Sequence, residues 1–311
     1  MRRTPLILLL VALALAMSAV PAAARTRVAV GLGDQHASMF EHPAFHALKV
    51  RKVRYFVRWD AMRVPSALQA ADQYVQSARA AGIRVFLHVS TNDLRHKRAK
   101  LPTRKAYRRY VGRLVRHFKA LGVRDFGVWN EANHKSQPTW RNPARAAQYF
   151  VEMRRACGSG CSIVALDVLD QAGVERYIDR FYNALSGTWR ARARLVGIHN
   201  YSDTNRFRSR GTAAIIRAVK HRNRRADFWL TETGGVVAFG RSFKCSEKRA
   251  ARAISYMFSL ARKFRRDVKR LYAYNWSGSN CKGFDAGLTR RNGKVRPGYR
   301  TFKSRARSFT R

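Results

Sequence analysis

Eight short apolar runs, rich in Val, Ile, Phe and Tyr, alternate along this chain with longer segments whose apolar residues recur at helical spacing. The first four are RVAVGLGD at 27–34, VRYFVRWD at 53–60, IRVFLHVS at 83–90 and VRDFGVWNE at 123–131. The second four are SIVALDVLD at 162–170, LVGIHNYSD at 195–203, DFWLTETGG at 227–235 and RLYAYNWSG at 270–278. Continuous apolar runs of this length read as strands buried on both faces, which belong to parallel sheets covered by helices. The helical segments carry their own start and stop signals. Residues 103–122 set Tyr107, Tyr110, Val111, Leu114, Val115, Phe118 and Leu121 at spacings of three and four, between a Thr103 cap and Gly122. Residues 246–264 repeat the pattern behind Ser246, with Ala250, Ile254, Met257, Phe258, Ala261 and Phe264 on one side. The weakest helical signals are 43–50, which is short, and 297–309, which is crowded with basic residues.

Eight strand–helix units predict one α/β domain, a single (β/α)₈ TIM barrel, an architecture that takes about 250 residues. A doubly wound open sheet is the alternative. It usually carries a Gly-rich phosphate turn after its first strand, and GLGDQH at 31–36 lacks the third glycine of that fingerprint. No linker, repeat or low-complexity segment marks a second domain.

The ends and the composition bound the setting. Arg2 and Arg3 precede an apolar run from Leu6 to Met17, and Ala22-Ala23-Ala24 offers small residues for cleavage. This is the pattern of a secretory signal peptide over 1–24, with the barrel domain over 25–311 and no transmembrane segment after cleavage. The four cysteines, Cys157, Cys161, Cys245 and Cys281, fit an oxidising compartment and a secreted protein. They lack histidines at zinc-type spacing, so two disulfides are expected in place of a metal. Cys245 and Cys281 follow the seventh and eighth strands and should be bridged over the mouth, while Cys157–Cys161 should close a small loop before the fifth strand. The formal charge of +45 attracts polyanions such as acidic polysaccharide, teichoic-type polymers, nucleic acid or anionic lipid. Basic residues are spread through every segment, and helices such as 103–122 read as basic outer faces.

In such barrels chemistry sits at the C-terminal ends of the strands. Those ends carry Asp34, Arg58 with Asp60, His88, Asn130 with Glu131, Asp167 or Asp170, His199 with Tyr201, Glu232 and Trp276. Polar strand ends are ordinary, and Asp167 and Asp170 are expected to shape the rim. Glu131 on the fourth strand and Glu232 on the seventh are less ordinary, because they face each other across the mouth. A retaining glycosidase needs two carboxyl groups about 5–5.5 Å apart.

With these residues the chain resembles the clan A glycoside hydrolases, the retaining (β/α)₈ enzymes that include cellulase-like family 5 and xylosidase-like family 39. The Asn-Glu acid/base pair of that clan is matched by Asn130-Glu131 in WNEAN, and its nucleophile by Glu232 in WLTETGG. The His-x-Tyr element of several families is matched by His199 and Tyr201, the Arg ending strand two by Arg58, and the Trp closing strand eight by Trp276. Many members read Asn-Glu-Pro, where this chain has Ala132, which leaves the family open.

The resemblance implies retaining hydrolysis of a β-linked glycan with no metal or organic cofactor. Glu131 is expected as acid/base, kept protonated by burial against Trp129 and the charge of Glu232, with nearby arginines pulling the other way. Tyr201 and Arg58 are expected to hold Glu232 ionised, and Asn130 to donate to the sugar 2-OH. His199 and His88 are expected to contact substrate, and Trp276 to lie beneath a pyranose ring. The partner is then an oligo- or polysaccharide, with acidic glycans among the candidates, and a monomer is expected. The alternative is a non-catalytic secreted barrel that binds polyanions or cell surfaces. The glutamate pair and its neighbours favour the enzyme. Nucleic acid is not required, since no binding motif for it is present.

Overall fold

A computed structural model describes residues 27–93 and 99–310; the signal peptide expected over 1–24 lies outside them. The strands are β1 (Ala29–Gly33), β2 (Lys52–Arg58), β3 (Arg84–Ser90), β4 (Asp125–Gly127), β5 (Ser162–Leu169), β6 (Leu195–His199), β7 (Asp227–Thr233), β8 (Ala238–Phe239), β9 (Val268–Tyr274) and β10 (Phe284–Asp285). The helices are α1 (Pro43–His46), α2 (Pro65–Ala80), α3 (Arg104–Ala120), α4 (Pro143–Cys157), α5 (Val174–Asn183), α6 (Gly187–Arg192), α7 (Tyr201–Asn205), α8 (Arg210–Arg222), α9 (Glu247–Lys263) and α10 (Pro297–Thr310). Strands β1 to β7 and β9 close a parallel barrel in chain order, β9 returning to pair with β1. Closure excludes the open-sheet alternative. All eight apolar runs supply barrel strands.

The helical signals hold as well. Thr103 Oγ1 accepts the Ala106 N–H at 3.1 Å to start α3, and Ser246 Oγ accepts the Arg249 N–H at 3.2 Å to start α9. On α3, Tyr107, Val111, Leu114, Val115 and Phe118 are buried, while Arg104, Lys105, Arg108, Arg109, Arg113 and Arg116 are exposed. That is the basic outer face the sequence implied. The weak signal at 43–50 yields one turn, α1. The basic 297–309 segment yields a full helix because Phe302 is buried against Phe258 of α9, and apolar contact outweighs charge density.

Inside the barrel, Phe86 of β3 and Trp229 of β7 meet edge to face at 5.3 Å. Their strands are not neighbours, so the contact crosses the interior. Tyr272 packs on both rings, and these side chains form the floor on which polar residues rest. Two glycines make the layer above possible. A Cβ at Gly127 would stand 2.1 Å from the His88 ring, and one at Gly197 would stand 2.1 Å from Asp167 Oδ2.

The fourth run departs from expectation, since the β4 ladder ends at Gly127 instead of reaching Glu131. Val128 N–H still bonds Val164 O at 3.1 Å and Asn130 N–H bonds Val89 O at 2.8 Å. The chain then turns at Glu131, whose φ of 46° lies in the left-handed region that non-glycine residues seldom adopt. Both expected disulfides are present, with Cα–Cα distances of 6.1 Å for Cys157–Cys161 and 5.6 Å for Cys245–Cys281. No helix among the described residues is long and apolar enough to cross a membrane.

Candidate active site

The register of the barrel decides which polar side chains meet. β6 and β7 pair His199 with Glu232, and the turn after β4 brings Glu131 to the same place. One oxygen of Glu131, one of Glu232 and a ring nitrogen of His199 lie within 4.8 Å of one another. The two carboxylates predicted from strand ends are therefore neighbours across the mouth.

Glu232 is held on both oxygens. Arg54 Nη1 donates to Oε2 at 2.7 Å, and the Tyr201 hydroxyl donates to Oε1 at 3.0 Å. Arg54 is fully buried in β2 and also donates to Asn130 Oδ1 and to His88 Nδ1. Burial opposes its charge, but Glu232 and Asp167 more than compensate and raise its pKa. Tyr201 is pushed well above the usual phenol range by burial and by the charge of Glu232, so it remains a donor.

His199 is wholly buried between acids. Its Nδ1 lies 3.1 Å from Glu131 Oε1 and 3.6 Å from Glu232 Oε2, and its Nε2 lies 3.0 Å from Asp167 Oδ1. Burial alone would strip its proton. Instead, the charge of Asp167, 3.0 Å from Nε2, and that of Glu232, with the hydrogen bond to Glu131, raise its pKa to about 10. At neutral pH the ring is an imidazolium, and Nδ1–H donates to Glu131. Burial also pushes Glu131 up, yet His199 and then His134 hold it below the ordinary glutamate value. The expectation that burial keeps Glu131 protonated is thus reversed, and the cation responsible is a histidine, not an arginine.

Asp167 ties the site together. Its Oδ1 accepts the Glu131 backbone N–H at 3.0 Å, and Thr231, next to Glu232, donates its hydroxyl to Oδ2. Burial opposes its charge, but His199 and Arg54 keep it far below the usual carboxylate range.

Several expected contacts lie elsewhere. Arg58, at the rim, is paired with Asp60 at 2.6 Å and does not reach Glu232. It stands four residues beyond Arg54, about 13 Å along a strand. His88 is fully buried beneath Arg54, and burial with the charges of Arg54 and His199 lowers it to about 3, so it is a neutral acceptor. Trp276 is buried among Phe45, Tyr299 and His42, because the chain leaves the ladder after Tyr274 and the indole fills an apolar pocket. Besides Tyr201, Tyr274 at the end of β9 lies near the carboxylates, where its ionisation is opposed by burial and then by Glu232. Asp34 accepts the N–H groups of Gln35, His36, Trp276 and Ser277 and so ties the end of β1 to the loop after β9.

Arg54 was missed by sequence reasoning, although a signal existed. A charge in the middle of an apolar strand, in VRYFVR, must find a buried partner. Glu131, His199 and Glu232 also form a set of donors that could hold a divalent cation.

The site therefore belongs to the class of (β/α)₈ barrels with paired carboxylates at the ends of the fourth and seventh strands. Solved structures share this fold. Xylanase B from Clostridium stercorarium F9 superposes with a TM-score of 0.61 at 14% identity, over 89% of this chain and 97% of that one. A GH113 beta-1,4-mannanase gives 0.61 at 15%, over 91% and 98%. A family 39 glycoside hydrolase from Bacteroides cellulosilyticus WH2 gives 0.59 at 13%, over 91% of this chain and 64% of that one. No protein-family description and no curated protein matches the chain.

Proposed function

We propose that this protein is a secreted retaining glycoside hydrolase that cleaves a β-linked glycan, with Glu232 as nucleophile and Glu131 as acid/base. The observation that carries the reading is the approach of one oxygen from each carboxylate to within 4.8 Å, close to the separation retention requires. Fold likeness to xylan- and mannan-cleaving enzymes supports it.

Each held group then has a task. Arg54 and Tyr201 hold both oxygens of Glu232 by hydrogen bonds and aim it at the anomeric carbon. As the carbon–carboxylate bond forms, the glycosidic bond breaks and the leaving oxygen takes a proton from Glu131. Glu131 next takes a proton from water, which attacks the glycosyl-enzyme and releases a sugar of retained configuration. With Asn130 Oδ1 occupied by Arg54, its amide N–H₂ is the group left for the sugar 2-OH.

In the free enzyme the acid proton rests on His199. It lies one hop of 3.1 Å from Glu131 Oε1. A sugar that fills the mouth removes water and favours the neutral pair, with the proton on Glu131, over two buried charges. Glu131 and His199 thus act as one titrating unit.

The test is covalent labelling. A 2-fluoro glycoside with a good leaving group should inactivate the enzyme and leave its mass on Glu232. A label on any other residue overturns the assignment.

A further inference from the structure

Phe207, Phe239 and Phe284 are the exposed large hydrophobic side chains among the described residues. Isolated examples need no explanation, but Phe239 and Phe284 are cross-strand partners in the β8–β10 ladder, with centroids 5.5 Å apart. Their exposures are 50% and 37%. The ladder does not depend on them for anchorage. Buried Asp285 takes two hydrogen bonds from Arg296, at 2.7 and 2.9 Å, and Cys245–Cys281 joins the segment behind β8 to the one before β10.

The rings continue inward. Phe284 meets Tyr201 at 5.2 Å, and the Tyr201 hydroxyl donates to Glu232. Phe284 also lies over Tyr274 at 6.4 Å with an interplanar angle of 27°. An aromatic wall therefore runs from the carboxylates to open solvent on a pinned flap.

We propose that Phe239 and Phe284 form a sugar-stacking subsite, which holds a ring of the β-linked glycan next to the linkage that is cut. This rests on the hydrolase reading. A pyranose has an apolar C–H face and a hydroxylated edge, so it covers an exposed phenyl ring while its hydroxyls remain in water. Size favours the same occupant: two half-exposed rings offer on the order of 150–250 Å², against about 800 Å² per partner at a protein interface. That area fits one sugar ring and is too small for a stable protein contact.

The experiment compares Phe239→Ala, Phe239→Tyr and wild type on an aryl monoglycoside and on β-linked oligosaccharides of increasing length, using the sugar the wild type cleaves. In Phe239→Ala the ratio of kcat/KM on long oligosaccharide to that on aryl glycoside should fall about ten-fold, as expected for losing one aromatic contact. Phe239→Tyr should restore the ratio. An unchanged ratio in Phe239→Ala overturns the subsite while leaving the hydrolase reading intact. Should wild type cleave no glycoside, the hydrolase reading fails. Calorimetric titration of xylo-, manno- and gluco-oligosaccharides into wild type and Phe239→Ala then decides the platform, with equal binding or none counting against it.

Discussion

Two arginine–carboxylate pairs cross the inside of this barrel, one at each end. At the closed end, Arg270 of β9 meets Asp125 of β4 at 2.5 Å, with the guanidinium 3.9 Å over the Trp229 ring. At the open end, Arg54 of β2 meets Glu232 of β7 at 2.7 Å. The lower pair is a single direct ion pair, with the Lys52 ammonium near enough to feel both of its charges. The upper one belongs to a larger set, in which Glu131, Asp167 and Glu232 share Arg54 and His199. The lower set has more cations than anions and ties β4 to β9. The upper set has an excess of carboxylate, which keeps oxygens poised for a ligand.

Breaking the two ends should give opposite signatures. Glu232→Ala at the open end should lower kcat on glycosides by about 10⁴-fold or more, as loss of a nucleophile does, with the fold retained by circular dichroism. Wild-type activity in this variant would remove Glu232 from the mechanism. Glu131→Ala should slow natural glycosides about 10²–10⁴-fold, yet spare aryl glycosides whose phenols leave without protonation. Equal losses on both substrates would deny Glu131 the acid role.

Asp125→Asn at the closed end should do the reverse. It leaves Arg270 without a charged partner, and breaking a buried pair costs about 3–5 kcal/mol. Thermal unfolding should shift down while kcat/KM at 25 °C holds. A variant that keeps its Tm but loses activity would erase the distinction between the two ends.

A smaller effect sharpens the same contrast through pH. His199 is raised to about 10, so its protonated form stabilises the fold fully below the unfolded histidine value and loses that contribution as pH rises through about 10. Asp167 is a principal cause, so Asp167→Asn should bring this loss to lower pH, together with the alkaline limb of kcat/KM. Superimposable pH profiles of wild type and variant would exclude the His199–Asp167 contact as the source.

The smallest effect concerns charge spread over the outer helices. If the +45 balance draws an acidic glycan to the mouth, kcat/KM on that substrate should fall as salt rises. The Debye length shrinks from about 30 Å at 0.01 M to about 10 Å at 0.1 M. A neutral aryl glycoside should barely respond. Parallel curves for the two substrates would separate the charge from catalysis.

The sequence by itself determined the barrel, because eight apolar runs divided by capped helices leave few other ways to bury strands on both faces. It also determined Glu131 and Glu232 as facing strand ends, and the disulfide partners, since all follow from which strand or loop a residue ends or follows. Only the tertiary structure decided which side chains touch. Strand order says nothing about height within a tilted, staggered barrel. Register sets Arg54 beside Gly33, and Gly33 beside Tyr274, so those two side chains belong to the layer of the carboxylates. Arg58 and Trp276 carry the same chemistry, but one stands at the rim and the other lies buried outside the mouth. The proton's place on His199 was equally hidden, because it depends on three acids, from the turn after β4, from β5 and from β7, that meet only when the barrel closes.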